Sequence, residues 1–174
     1  MSAANFAACL AVILRSEGGY AVDQGGPTNC GITIPALQAW LHRPCTAADI
    51  QALSPSDPTV AGLYQADFYN AAGCGRLPDG LDLMAFDEAV NEGVGRAVRH
   101  LQEVLGVAVD GDFGPATQAA VAACNIVHAI NALHDTNAAY YASLDAEYPE
   151  DERGWQARND RTRAIALTMA GAPG

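Results

Sequence analysis

Glu17 closes an apolar run near the start of the chain, where Leu10, Ile13, Leu14 and Glu17 recur at three- and four-residue intervals. In a helix those intervals share one face, so a carboxylate is set on the stripe that should pack inward. Apolar surroundings disfavour the ionised form of a carboxyl group and raise its pKa, which is what a general acid near neutral pH requires. Gly18 and Gly19 then end the helix and let the backbone pass close to a ligand. Asp23 and Thr28 follow within one short loop, adding a second carboxylate and a hydroxyl. Two carboxyl groups flanking a cleft are the minimal machinery for cleaving a glycosidic bond. Asp23 could serve as base toward a water, stabilise positive charge on a sugar, or cap a turn. Thr28 could position that water or be an ordinary turn hydroxyl. A lone Glu at a helix end is, by position alone, more often a solvated surface residue.

The elements that must hold these groups read as helices separated by short breaker-rich loops. The spacing predicts a first helix over residues 3–17, then a loop over 18–31 carrying at most a small β-hairpin. Pro35 suits the first turn of a helix whose apolar residues are Leu37, Trp40 and Leu41. Thr46 with Asp49 has capping-box spacing, and Asp57-Pro58 opens a helix with Val60, Leu63, Tyr64 and Phe68 on its apolar face. A Gly/Pro-rich break over 73–80 separates the halves. Helices are expected around Leu83, Phe86 and Val90, around Val98, Leu101 and Leu105, and from Pro115 to about residue 123. A longer one carries Ile126, Ile130, Leu133 and Tyr140, and a last one runs from Trp155 to about Met169. The expectation is an all-α chain folded as a single compact domain over 1–174, with an N-terminal part over about 1–79 and a C-terminal helical part over about 80–170.

Glu17-Gly18-Gly19-Tyr20, the Gly-Gly-x-Thr-x-x-Gly-Ile-Thr loop over 25–33 and the Phe86-Asp87-Glu88-Ala89-Val90-Asn91-Glu92-Gly93 segment resemble glycoside hydrolase family 108. That family comprises lysozyme-like N-acetylmuramidases of phages and bacteria. The resemblance continues through Leu101-Gln102, the Asp110-to-Thr117 segment, Tyr140-Tyr141 and Gly154-Trp155, the family's predicted peptidoglycan-binding region. It implies a lysozyme-like two-lobed helical fold with a substrate cleft, acting on the β-1,4 bond between N-acetylmuramic acid and N-acetylglucosamine in peptidoglycan. It also implies Glu17 as the catalytic acid. Asp23 best matches the family's acidic position before the glycines, although the loop here is shorter than is usual in the family. Thr28 resembles the threonine of the Glu-Asp-Thr arrangement in phage-type lysozymes.

Around this centre Tyr20 could stack on a sugar ring or pack beneath the cleft, and Asn91 could bind an N-acetyl group or cap its helix. Asp87 is taken to support substrate binding, and Glu88 to be a solvated charge. Trp155 reads as core in preference to a sugar platform. The Asp110-Gly111-Asp112-Phe113-Gly114-Pro115 segment is explained as a turn feeding a helix, with ligand contact the lesser reading. Two rival readings are a lytic transglycosylase, which needs Glu17 alone, and a non-catalytic peptidoglycan-binding or regulatory protein on a lysozyme fold.

Composition narrows the classes. A formal charge of -11 over 174 residues excludes a nucleic-acid binder, which needs clustered Lys and Arg. The same charge opposes long-range approach to an anionic cell wall. No run reaches the roughly 18 apolar residues of a membrane span, so no membrane insertion is expected. The first residues lack a basic segment and a cleavage site. The chain is therefore expected to be made in the cytoplasm and to reach the periplasm or wall by a holin or a secretion system. Five cysteines cannot all pair within one chain, and reduced thiols packed as small hydrophobes are favoured over a disulfide framework. Cys124, His128 and His134 lack the spacing and fourth ligand of a metal site. A monomer needing no cofactor and no metal is expected, with bacterial cell-wall peptidoglycan as its partner.

Overall fold

A computed structural model describes residues 3–23, 25–144 and 152–172. The class is the expected one: nine α-helices among the described residues, with one small three-stranded sheet. The chain divides into two compact units, one over Leu10–Asp67 and one combining residues up to 9 with those from 68 onward.

The smaller unit begins with the second half of α1 (Ala3–Ser16), which buries Leu10 and Ile13. Strands β1 (Ala21–Asp23), β2 (Gly26–Asn29) and β3 (Ile32–Thr33) follow in antiparallel order β1-β2-β3. A hairpin was the most that residue patterning suggested; the third strand, only two residues long, carries too little alternation to read. Asn29 fastens the sheet to α3 (Ala47–Gln51), its amide donating to the carbonyls of Ile50 at 3.2 Å and Leu53 at 2.8 Å. Thr33 caps α2 (Ile34–Leu41), accepting from the Ala36 N–H at 3.4 Å. Thr46 and Asp49 form the reciprocal capping box that their spacing predicts. Asp57 caps α4 (Pro58–Tyr64), where Pro58 sits in the first turn.

Trp40 is 37 % exposed. Its helix stops one residue later with His42 in the left-handed region, and the indole lies over the Cα of Gly62. One expectation fails here: the helix opened by Pro58 does not continue on one face to Phe68. It passes into a π-helix over Gln65–Asn70, whose extra residue per turn buries Tyr69 while Phe68 stays half-buried.

The larger unit is organised around α5 (Leu81–Glu92), which is buried from Leu81 through Ala89 on every side. Around it lie α6 (Val94–Leu105), α7 (Pro115–Ala123), α8 (Ile126–Ser143) and α9 (Glu152–Met169). Gly80, at φ +86°, stands where α5 begins, and a Cβ there would run into the carbonyl of Ala166 on α9. Phe6, Tyr69 and Phe86 form an aromatic triangle with centroids 5.1, 5.2 and 6.0 Å apart. On α8 the buried stripe runs through Ile130, Leu133, Asn137 and Tyr141; Tyr140 is half-buried, with the Arg96 guanidinium 3.9 Å from its ring centroid.

A helix buried this completely must find partners for its acids. Asp82, fully buried, accepts from Asn5, from Tyr69 at 3.0 Å, from Cys9 at 3.5 Å, and from the backbone N–H groups of Gly80 and Leu83 at 2.9 and 2.8 Å. Burial pushes its carboxyl upward, while the hydrogen bonds from Tyr69, Cys9 and the backbone pull it back. Glu88 is not the solvated charge expected of it. It is fully buried and ion-paired with His100, and the Asn137 amide, turned to donate, reaches its two oxygens at 3.1 and 3.2 Å. Burial, then the neighbouring Glu88 carboxylate, push Glu92 up to about 7.

The segment from Asp110 to Pro115 is a turn locked by Gln102, whose amide donates to Asp110 Oδ1 at 2.7 Å and accepts from the Gly111 N–H at 2.8 Å. All five cysteines are free thiols, four of them buried.

Asp82→Ala strands the buried donors of Tyr69, Cys9 and Asn5, and should lower unfolding free energy by roughly 3 kcal/mol or more in a urea titration. Glu92 gives a pH signature. The unfolded chain releases this proton near the ordinary 4.5, whereas the folded chain holds it to about 7. Its contribution to stability is therefore complete below about 4.5 and is lost as pH rises through about 7. In thermal melts Glu92→Gln should gain on the wild type steadily across that window and melt a few degrees higher at alkaline pH.

Candidate active site

Glu17 lies one residue beyond the end of α1, half-buried in place of the core position the stripe suggested. Its seat is the turn between β2 and β3. Cys30 and Gly31 connect Asn29 to its partner Ile32, and both have positive φ, 51° and 70°. Two consecutive left-handed residues in a two-residue loop make a type I′ hairpin turn, normally the province of Asn-Gly and Asp-Gly. The Tyr64 hydroxyl of α4 donates to the Cys30 carbonyl at 2.9 Å and braces this turn.

The absent side chain of Gly31 makes the seat possible. A Cβ at that position would stand 2.6 Å from Glu17 Oε2 and 2.5 Å from the Tyr64 hydroxyl oxygen. The Glu17 carboxylate therefore rests against bare backbone, with the Tyr64 phenol beside it. Burial, then the Glu17 charge, push the Tyr64 hydroxyl well above the ordinary tyrosine range, so it stays protonated and able to donate.

The remaining residues singled out by sequence fall in two groups. Tyr20, Asp23 and Thr28 share the smaller unit with Glu17. Tyr20 is 43 % exposed just before β1, open to solvent and not packed beneath other residues. Asp23 ends β1 with its backbone opposite Gly26, and its side chain lies outside the described residues. Thr28 is half-buried on the central strand, paired with Ala21 on one side and Thr33 on the other. Asp87 and Asn91 belong to α5 in the larger unit. Asp87 is 4 % exposed, with the Arg158 Nε 3.6 Å away, and Asn91 donates to the Asp87 carbonyl one turn back at 2.6 Å. Both thus have partners in the packing of the helix.

Sequence reasoning missed Tyr64 and Gly31 as neighbours of the acid. Tyr64 was read only as apolar face, yet a tyrosine on a buried stripe carries a hydroxyl that must find an acceptor, and that was the available signal. A set able to hold a cation exists elsewhere: Glu88, Glu92 and His100 place ligand atoms within 4.8 Å of one another. Cys124 and His128 line one cavity of about 270 Å³, while His134 pairs with Asp135 and Asp160 at 2.9 Å each.

Residues 10–93 match the glycosyl hydrolase 108 family, and residues 96–160 match the predicted peptidoglycan domain family. Among solved structures the chain is similar to SagA of Brucella abortus, with 34% identity, a TM-score of 0.84 and 97% of each chain covered. A comparison with curated proteins finds no match. That likeness extends over the whole succession of helices, and the family match spans the acid and the hairpin it rests on. The chain belongs to glycosyl hydrolase family 108, a glycoside hydrolase of lysozyme-like fold whose C-terminal part is a peptidoglycan-binding domain.

Proposed function

We propose that the protein is an N-acetylmuramidase that hydrolyses the β-1,4 bond between N-acetylmuramic acid and N-acetylglucosamine, with Glu17 as general acid. The observation that carries this reading is the seat of Glu17: a half-buried carboxylate held on a side-chain-free turn, beside a protonated phenol. Such a carboxyl group is fixed in position before substrate arrives, and fixed geometry is what proton transfer in the transition state rewards.

In this mechanism Glu17 gives its proton to the glycosidic oxygen as the bond to the anomeric carbon breaks. Positive charge develops on the departing sugar ring, and a water adds to the anomeric carbon. Asp23 takes the proton of that water, and the Thr28 hydroxyl orients it. Tyr20, exposed at the start of β1, offers a ring face to a sugar.

Glu17→Gln keeps the shape of the side chain and removes its proton. Release of soluble muropeptides from purified sacculi should fall by about 100-fold or more, with the melting temperature unchanged. Mass spectrometry of wild-type products should show reducing ends. Anhydro ends would replace hydrolysis by transglycosylation, and no products from folded wild-type protein would favour a binding role without catalysis. Gly31→Ala forces the Glu17 carboxylate and the Tyr64 hydroxyl aside and puts a Cβ in the left-handed region, at a stability cost of about 1–2 kcal/mol. It should remain folded below its lowered melting temperature, yet lose most of its muropeptide release.

A further inference from the structure

A second cavity, of about 120 Å³, lies wholly within the larger unit, where the ends of α5 and α8 meet the start of α9. Asn91, Glu92, Tyr140, Tyr141, Trp155 and Arg158 line it. It is smaller than the usual 300 Å³ or more of a drug-sized site, so it suits a compact polar group in preference to a sugar ring.

Its polar lining is left incomplete. The Glu92 side chain is only 1 % exposed; the Tyr141 hydroxyl stands beside it and steadies its charged form, yet neither carboxylate oxygen makes a hydrogen bond of good geometry among the described residues. The nearest cation, His100 Nδ1, is 4.0 Å away and is already paired with Glu88. Arg158 shows the same deficit with opposite sign. Its Nε is buried without a hydrogen-bond acceptor of good geometry among the described residues, 3.6 Å from Asp87, while its Nη2 donates to the Tyr141 hydroxyl at 3.2 Å. Polar groups buried in this way are costly unless something satisfies them. Between them stand aromatic rings, with the Tyr141 centroid 5.9 Å from that of Tyr140 and 5.8 Å from that of Trp155. Ring faces favour a cation, and the Arg96 guanidinium already occupies one face of Tyr140.

We infer that this cavity binds a zwitterionic α-amino-acid head, its ammonium on Glu92 between the rings and its carboxylate on Arg158, and that the head is the free end of a diamino acid in a peptidoglycan stem peptide. A simple amine would leave the Arg158 Nε with only its long 3.6 Å contact to Asp87, and a simple carboxylate would leave Glu92 without a donor. A neutral sugar hydroxyl matches neither charge. Glu92 holds its proton to about pH 7 when the cavity is empty, and an arriving ammonium draws it into the ionised form. The assignment to a stem peptide rests on the reading of peptidoglycan as partner; the match to a zwitterion rests on the cavity alone.

Calorimetric titration of the full chain with meso-diaminopimelate tests the match, with pimelate and cadaverine as probes lacking the ammonium or the carboxylate. Diaminopimelate should bind, and each control should bind at least about tenfold more weakly. Glu92→Gln, which should fold at least as well as the wild type above neutral pH, should weaken diaminopimelate by about tenfold or more, and Arg158→Gln should do the same if it folds. No binding at millimolar diaminopimelate, equal binding of a control, or an unchanged affinity in Glu92→Gln overturns the inference. The tripeptide L-Ala-D-Glu-diaminopimelate should bind as well as the free amino acid. Binding of free diaminopimelate without the tripeptide overturns the stem assignment. Wild-type protein that cleaves glycan but ignores diaminopimelate retires this inference alone, whereas the reverse result retires only the hydrolase mechanism.

Discussion

Four carboxylates on α5, with almost no water to solvate them, set the terms for the larger unit. Three of the four recruit different parts of the chain. Asp82 gathers donors from the first residues and from the π-helix, so Asn5, Cys9 and Tyr69 converge on the beginning of α5. Asp87 faces Arg158 of α9, and Glu88 takes His100 of α6 with Asn137 of α8. Burying charge in this way adds little net stability compared with a well-packed apolar core. It does penalise any arrangement in which one partner is missing, because an uncompensated buried charge is far more costly than a paired one. The acids of one helix thereby fix which faces of its neighbours can approach. Glu92, at the end of the same helix, is the one whose oxygens lack a well-formed hydrogen bond among the described residues, and it is the one that lines a cavity.

The smaller unit solves a different problem with a different device. An acid at a helix end would ordinarily swing through solvent. Here the β2–β3 turn presents two left-handed residues and no side chain at Gly31, so the Glu17 carboxylate can lie on the backbone itself. Tyr64 holds the turn from the α4 side through the Cys30 carbonyl. Cys30 is the less comfortable member, since a non-glycine residue at φ 51° is strained. Its thiol reaches Asn29 Oδ1 at 3.7 Å, and the Asn29 amide ties the strand to α3. The strain is thus held by packing on both sides of the turn.

What could be read from the sequence follows from the range of the forces involved. Local signals were legible: the Thr46–Asp49 capping box, the Pro58 helix start and the apolar spacing of Leu10 and Ile13 all depend on residues within one or two turns. Glu17 stood out by its motif, but the helical stripe that placed it toward the core does not reach it, because α1 ends at Ser16. Lost were features whose cause lies far along the chain. The burial of Glu88 is intelligible only with His100 and Asn137 beside it, and nothing in the helix marks it as buried. The π-helix moves the buried position from Phe68 to Tyr69 by one inserted residue, a shift that leaves no trace in a periodic pattern.

These buried acids also bear on the charge that seemed ill-suited to an anionic wall. The formal value of -11 counts every carboxylate as ionised and every histidine as neutral. Asp82, Glu88 and Glu92 are buried with their pKa values pushed upward, and Glu92, at about 7, gives up part of its negative charge to a proton near neutral pH. His100 moves the other way: its hydrogen bond to Glu88 raises its pKa and favours the cation. The charge that acts at a distance is set by what solvent and counter-ions reach, and paired groups inside the core contribute weakly to it. The field presented to an approaching glycan is therefore less negative than the composition indicates. One of these acids, Glu88, is also the one that ties α6 and α8 to α5, through His100 and Asn137.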